Sequence, residues 1–176
     1  MTEANKDAAD REPVPADAVD AIIDQWHGVR PELDTAPMAV FGRIYRIARA
    51  MGDAVERAYA PYGISRGEFD VVATLRRSGA PYTLSPRQLS ATLMLTTGGM
   101  TGRLDKLEKA GLLGRKPDPH DRRGLQVTIT DRGRALVDEA VAAGLEVQRT
   151  ALAGLGDEEV AALTGLLRKL MAGVQA

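Results

Sequence analysis

Between residues 96 and 123 the chain carries hydroxyls at Thr96, Thr97 and Thr101 and cations at Arg103, Lys106, Arg122 and Arg123. Such a set donates hydrogen bonds and positive charge without offering a paired nucleophile and base. Its natural chemistry is to hold an anionic polymer rather than to break a bond. Residues 100–134 hold nine bases against five acids, whereas residues 1–20 hold six acids against two bases. The formal net charge of −1 therefore hides a positive segment, and phosphate affinity follows the local field rather than the total.

Other chemistries are poorly represented. The 176 residues contain no Cys and two His, so neither disulfides, thiol redox sensing nor a transition-metal site is expected. There is no Ser-His-Asp spacing, phosphate loop or metal-ligand cluster, so neither an enzyme nor a resident cofactor is expected. No apolar run is long enough to span a bilayer and no signal-peptide pattern opens the chain, which predicts a cytoplasmic location and no membrane partner. His27 and His120 read either as tuners of a pH response or as exposed bystanders.

The elements that must position the basic residues are legible from local signals. Ser85-Pro86-Arg87-Gln88 is a capping box with Pro at the first helical position. Thr96 or Thr97 caps a second helix whose apolar residues Met100, Leu104 and Leu107 recur at helical spacing, and Gly111 stops it. Leu112-Leu113 start a strand, Asp118-Pro119-His120-Asp121 is turn chemistry, and Leu125, Val127 and Ile129 alternate as a half-buried return strand. Helix, turn, helix and hairpin make a winged helix-turn-helix, with double-stranded DNA as the leading ligand. Gly98-Gly99 reads equally as a backbone meant to approach DNA closely or as a poorly formed first turn.

Around this core, Asp17 caps a helix with Val19, Ile22, Ile23 and Trp26 on one face, and residues 28–37 form a connector. A long helix from about Met38 to Ala60 carries the stripe Phe41, Ile44, Ala48, Met51 and Val55. Ser65-x-x-Glu68 opens another helix to about Arg77, and Tyr82-Thr83-Leu84 reads as a short strand beside the wing. Residues 131–153 and Asp157–Ala172 are further helices, the last with Val160, Leu163, Leu166, Leu167 and Leu170 on a broad apolar face. Surplus apolar helix at both ends predicts a two-fold homodimer.

Asp121-x-Arg123 followed by Val127-x-Ile129-Thr130 resembles the wing signature of the MarR family of bacterial transcriptional regulators. Thr101-x-Arg103-Leu104-Asp105-x-Leu107-Glu108-x-x-Gly111-Leu112 resembles that family's recognition helix. The resemblance runs from about residue 38 to the end. It implies a mainly α fold with a small β-wing, in a dimeric MarR-like architecture to which this chain adds an N-terminal helix. The expected organisation is a disordered acidic tail (1–16) and a single winged-helix domain (17–176). Within the latter, 17–60 and 131–176 would dimerise and 61–130 would bind DNA. Arg123 would enter a minor groove braced by Asp121, or the Arg122-Arg123 turn is merely solvated.

The added helix, with Gln25-Trp26-His27 ahead of Arg30-Pro31-Glu32-Leu33-Asp34, resembles the urate-responsive, PecS/HucR-like branch of the family. So does Gly67-Glu68-Phe69-Asp70. The resemblance implies that Trp26, Asp70, Arg103 and Arg115 bind a small anionic or aromatic effector such as urate. Asp70 would balance the two arginines until an anion competes for them. Read from the residues alone, Trp26 is also explained as core packing, Asp70 as a first-turn carboxylate and Arg103 as a DNA contact.

The leading expectation is a homodimeric repressor released from a pseudo-palindromic operator by that effector. A DNA-binding regulator without a small-molecule ligand, and a winged-helix module that binds protein instead of DNA, are the alternatives.

Overall fold

The computed structural model of the chain describes residues 15–93, 97–119, 121 and 124–174, apart from the Thr97 side chain. The expected acidic tail, apart from its last two residues, lies outside them, as do Thr96, His120, Arg122 and Arg123. The chain divides into two compact units, residues 1–50 and 51–176.

In the first unit, helix α1 (Ala18–Val29) opens on a reciprocal capping box. Asp17 Oδ1 accepts from the backbone N–H of Val19 (2.7 Å), and Asp20 Oδ2 accepts from that of Asp17 (2.9 Å). Helix α2 (Ala36–Tyr59) starts two residues ahead of expectation, because Asp34 accepts from the Ala36 N–H and Pro37 loses nothing in a first turn. Val19 packs where Gly42 of α2 has no side chain; a Cβ there would lie 3.0 Å from a Val19 methyl. Arg43 then spans Asp17 (2.8 Å) and Asp20 (2.6 Å), fastening the cap of α1 to α2. His27 Nε2 and the Thr35 hydroxyl are 2.9 Å apart. The expected apolar face of α1 is only partly used: Val19 is buried, but Ile22 and Trp26 are exposed. Packing within the single chain covers Trp26 only in part, at 41% exposure.

The second unit takes the last part of α2, a 3-10 turn (Ala60–Tyr62), α3 (Arg66–Arg77), α4 (Pro86–Leu93), α5 (Thr97–Lys109), α6 (Asp131–Leu152) and α7 (Asp157–Val174). Three short strands, β1 (Thr83–Leu84), β2 (Leu113–Pro117) and β3 (Leu125–Ile129), form an antiparallel sheet in the order β1-β3-β2. Helix α3 is central, with Val71, Val72 and Leu75 fully buried among Leu89, Met100, Leu104, Leu107, Val127 and Val137. Tyr59 stacks on Phe69 at 4.2 Å. This is the mainly α winged-helix architecture that the sequence predicts.

Helix α6 is seated by backbone contact. The Thr130 hydroxyl donates to the Gly111 carbonyl (2.8 Å), and the Thr130 N–H donates to that of Leu112 (3.0 Å). Gly133 then approaches so closely that a Cβ would lie 2.0 Å from the Leu112 oxygen.

Candidate nucleic-acid interface

Helix α4 begins as its sequence predicts, with the Gln88 N–H donating to Ser85 Oγ and the Ser85 N–H donating to Gln88 Oε1. Its Leu89 is buried, as are Met100, Leu104 and Leu107 on the inner face of α5. Gly111, at φ +71°, ends the α5 segment in the left-handed conformation that suits glycine. With three apolar residues turned inward, the opposite face of α5 must look outward. Gly98, Gly99, Thr101, Gly102, Asp105, Lys106 and Lys109 are exposed there. Pro86, Arg87, Ser90, Met100 and Thr101 line a small cleft between α4 and α5.

Arg87 is a candidate that the sequence reading passed over as part of a cap. It is exposed in the first turn of α4, where the helix dipole disfavours a cation. A base placed against that dipole, beside Thr101, is the signal that could have found it.

The cations of the interface differ in how they are held. Lys106 is largely exposed, with Nζ 3.5 Å from Glu68 Oε1. Glu68 is itself buried in the first turn of α3, where its Oε2 accepts from the Ser65 N–H at 2.8 Å. Burial pushes its carboxyl upward, but the Ser65 N–H and hydroxyl and then Lys106 outweigh that and hold it below the usual carboxylate range. Arg103 is half-buried and lies over Gly67 of α3. Among the described residues it makes neither an ion pair nor a side-chain hydrogen bond.

Arg115, on β2, reaches back to α5. Its backbone N–H donates to Glu108 Oε1 (3.0 Å), its Nε–H donates to Glu108 Oε2 (2.9 Å), and Nη1 lies 2.8 Å from Asp105 Oδ1. The hydrogen bond from Arg115 is the main reason that the Glu108 carboxyl sits below its ordinary range, and Glu108 in turn raises the guanidinium. The expected balance of Arg115 by Asp70 is thus replaced by two carboxylates of α5 itself. Asp70 lies one turn beyond Gly67 on α3 and is half-buried. Its carboxylate, after burial, is the second cause that pushes the Tyr59 phenol up.

Beyond the last strand pair, Pro117 with Leu125, the Asp118 N–H donates to the Gly124 carbonyl (3.0 Å) and the Gly124 N–H donates to that of Asp121 (2.9 Å). The strands pair in register, Gly114 with Thr128 and Arg115 with Val127. Arg122 and Arg123, and hence the bracing of Arg123 by Asp121, lie outside the described residues. Trp26 belongs to the first unit, where it is 41% exposed and its carbonyl accepts the Arg30 N–H that ends α1.

The MarR family profile matches residues 62–124. The chain is 40% identical to the HTH-type transcriptional regulator PecS of Dickeya dadantii over 152 residues, covering 86% of this chain and 92% of that protein. A MarR family transcriptional regulator from Streptomyces coelicolor has a similar structure, with a TM-score of 0.70 at 25% identity over 81% of this chain and 97% of that one. A mutant MarR from E. coli, solved in complex with operator DNA, shares the fold: the TM-score is 0.68 at 24% identity, over 82% of this chain and 96% of that one.

Proposed function

The chain belongs to the MarR family of transcriptional regulators, in its PecS-like branch, and from that premise we propose that it is a homodimeric cytoplasmic repressor, released from operator DNA by a small anionic effector. Its relatives are regulators rather than enzymes. No helix among the described residues is long and apolar enough to cross a membrane.

The observation that carries the reading is helix α5. Its apolar face is consumed by the core, and its outer face presents Thr101, Lys106 and two glycines with open space above them. That is the surface a recognition helix offers to a major groove, with Thr96, Thr97, Thr101, Arg103 and Lys106 on α5 or at its start and Arg122 and Arg123 on the wing as contacts. Asp121 braces the wing, and Arg87 adds a phosphate contact from α4. The operator is a pseudo-palindrome with half-sites one helical turn, about 10 bp, apart.

The dimer reading assigns pairing to residues 17–60 and 131–176 and DNA binding to 61–130. Support comes from α7, which buries none of its residues and exposes Leu163, Leu166, Leu167, Met171 and Val174. An apolar face of that kind calls for a cover, and a second copy supplies one by symmetry.

The effector reading assigns Trp26, Asp70, Arg103 and Arg115 to an anion such as urate. An anion taking Arg115 would displace Asp105 and Glu108, which stand on α5, so occupancy would act directly on the recognition helix. The same ion pairs favour a second reading in which Arg115 is purely structural and the regulator answers to no small molecule. Mobility-shift titration on the DNA upstream of its own gene, with and without urate, separates the two. A specific shift relieved by urate supports the first. A specific shift indifferent to urate and to related anions supports the second.

A further inference from the structure

We propose that Gly67 is a positioning residue for operator recognition: it is the seat on which the Arg103 guanidinium rests, and its missing side chain sets where that guanidinium lies against α3. The inference rests on the reading of α5 as the recognition helix and of Arg103 as one of its contacts.

Gly67 occupies the second position of α3 with ordinary helical backbone, so no positive φ explains a glycine there. Helix propensity favours Ala at such a position. What the glycine provides is room. A Cβ built on it would lie 2.7 Å from Arg103 Cζ, 2.7 Å from Nη2 and 2.8 Å from Nε. Three guanidinium atoms at nearly one distance mean that the plane turns its face to the point where a Gly67 side chain would begin. At that range a methyl group and the guanidinium cannot coexist, so Arg103 must move if Gly67 acquires a side chain.

The arginine head has neither ion pair nor side-chain hydrogen bond among the described residues, so its N–H groups stay available to a phosphate, a base edge or a carboxylate. The next residue, Glu68, is the partner of Lys106 one turn further along α5. Two successive residues of the first turn of α3 therefore dock two cations of the recognition helix, one through shape and one through charge.

The test is a double-mutant cycle on the full-length protein, with operator affinity read by fluorescence anisotropy and folding by thermal denaturation. Gly67→Ala is expected to melt at or above the wild-type temperature and yet to bind operator at least threefold more weakly, roughly the smallest coupling such neighbours show. Arg103→Ala is expected to weaken binding roughly tenfold. In the Arg103→Ala background, adding Gly67→Ala is expected to change affinity no further, an outcome that a general distortion of α3 would not produce. Unchanged affinity for Gly67→Ala, or a loss that persists in full without Arg103, overturns the proposal. Unchanged affinity for Arg103→Ala instead overturns the reading of Arg103 as a contact on which the proposal stands.

Discussion

Arg115 and Glu108 are joined by three hydrogen bonds, one from the Arg115 backbone N–H and two from its guanidinium, so a strand of the wing and the last turns of α5 are tied by one pair of residues. Asp105 adds a further tie from the preceding turn. The consequence is that β2 and α5 are held to each other, so that in the proposed reading they would meet DNA together.

Breaking this link should therefore cost DNA affinity more than fold stability, because the pair is partly solvated and surface pairs contribute little to folding. Glu108→Gln is expected to leave the thermal midpoint nearly unchanged while weakening operator binding several-fold. A loss of stability without a loss of affinity would show that the link serves folding alone.

Gly133 predicts the opposite pattern. A Cβ there would lie 2.0 Å from the Leu112 oxygen and 2.8 Å from an Ile129 methylene. Backbone cannot yield as a side chain can, so Gly133→Ala should destabilise the second unit by about 1–3 kcal/mol or more. Urea denaturation followed by circular dichroism measures this directly.

Glu68 sets an acid limit. Its folded carboxyl is held below the ordinary range, so its contribution to stability is present above the unfolded value of about 4.3 and is lost as pH falls through the lower folded value. Glu68→Gln keeps the shape but not the charge. Its stability deficit, about 1–2 kcal/mol at neutral pH, should shrink toward zero in denaturation experiments below about pH 4. A deficit independent of pH would mean that shape, not charge, accounts for it.

Gly102 sits in the middle of α5 with open space where a Cβ would be. Folding alone favours alanine there by about 1 kcal/mol. Gly102→Ala is accordingly expected to raise the thermal midpoint and to lower operator affinity, if the bare backbone is what lets the helix approach the groove. Higher stability with unchanged affinity would assign the glycine no part in recognition.

Much of this was legible before the structure. The boxes at Ser65–Glu68 and Ser85–Gln88, the caps at Asp17 and Thr130 and the stop at Gly111 are local, since each side chain bonds backbone within three residues or one residue changes hand. The alternation of Leu125, Val127 and Ile129 likewise marked the return strand. What was not legible depends on neighbours remote in sequence. The face of Ile22 and Trp26 has helical periodicity, but periodicity does not say whether anything covers it. Arg115 could have paired with any nearby carboxylate, and only the placement of β2 beside α5 selects Asp105 and Glu108 over Asp70. The glycine at Gly67 stood out as part of the Gly67-Glu68-Phe69-Asp70 segment, but the reason for it did not, because the room is defined by a guanidinium 36 positions away.

If the outer face of α5 meets DNA phosphates, operator affinity must fall steeply with salt, and that dependence is the measurement to make. Each phosphate contact steepens the fall of log affinity with log salt by about 0.9. Lys106→Ala should weaken binding across all sequences and flatten that slope by about 1 for each copy of the chain bound. A steep wild-type slope that Lys106→Ala flattens supports the account; a specific complex whose slope is the same with and without Lys106, or no complex at low salt, contradicts it.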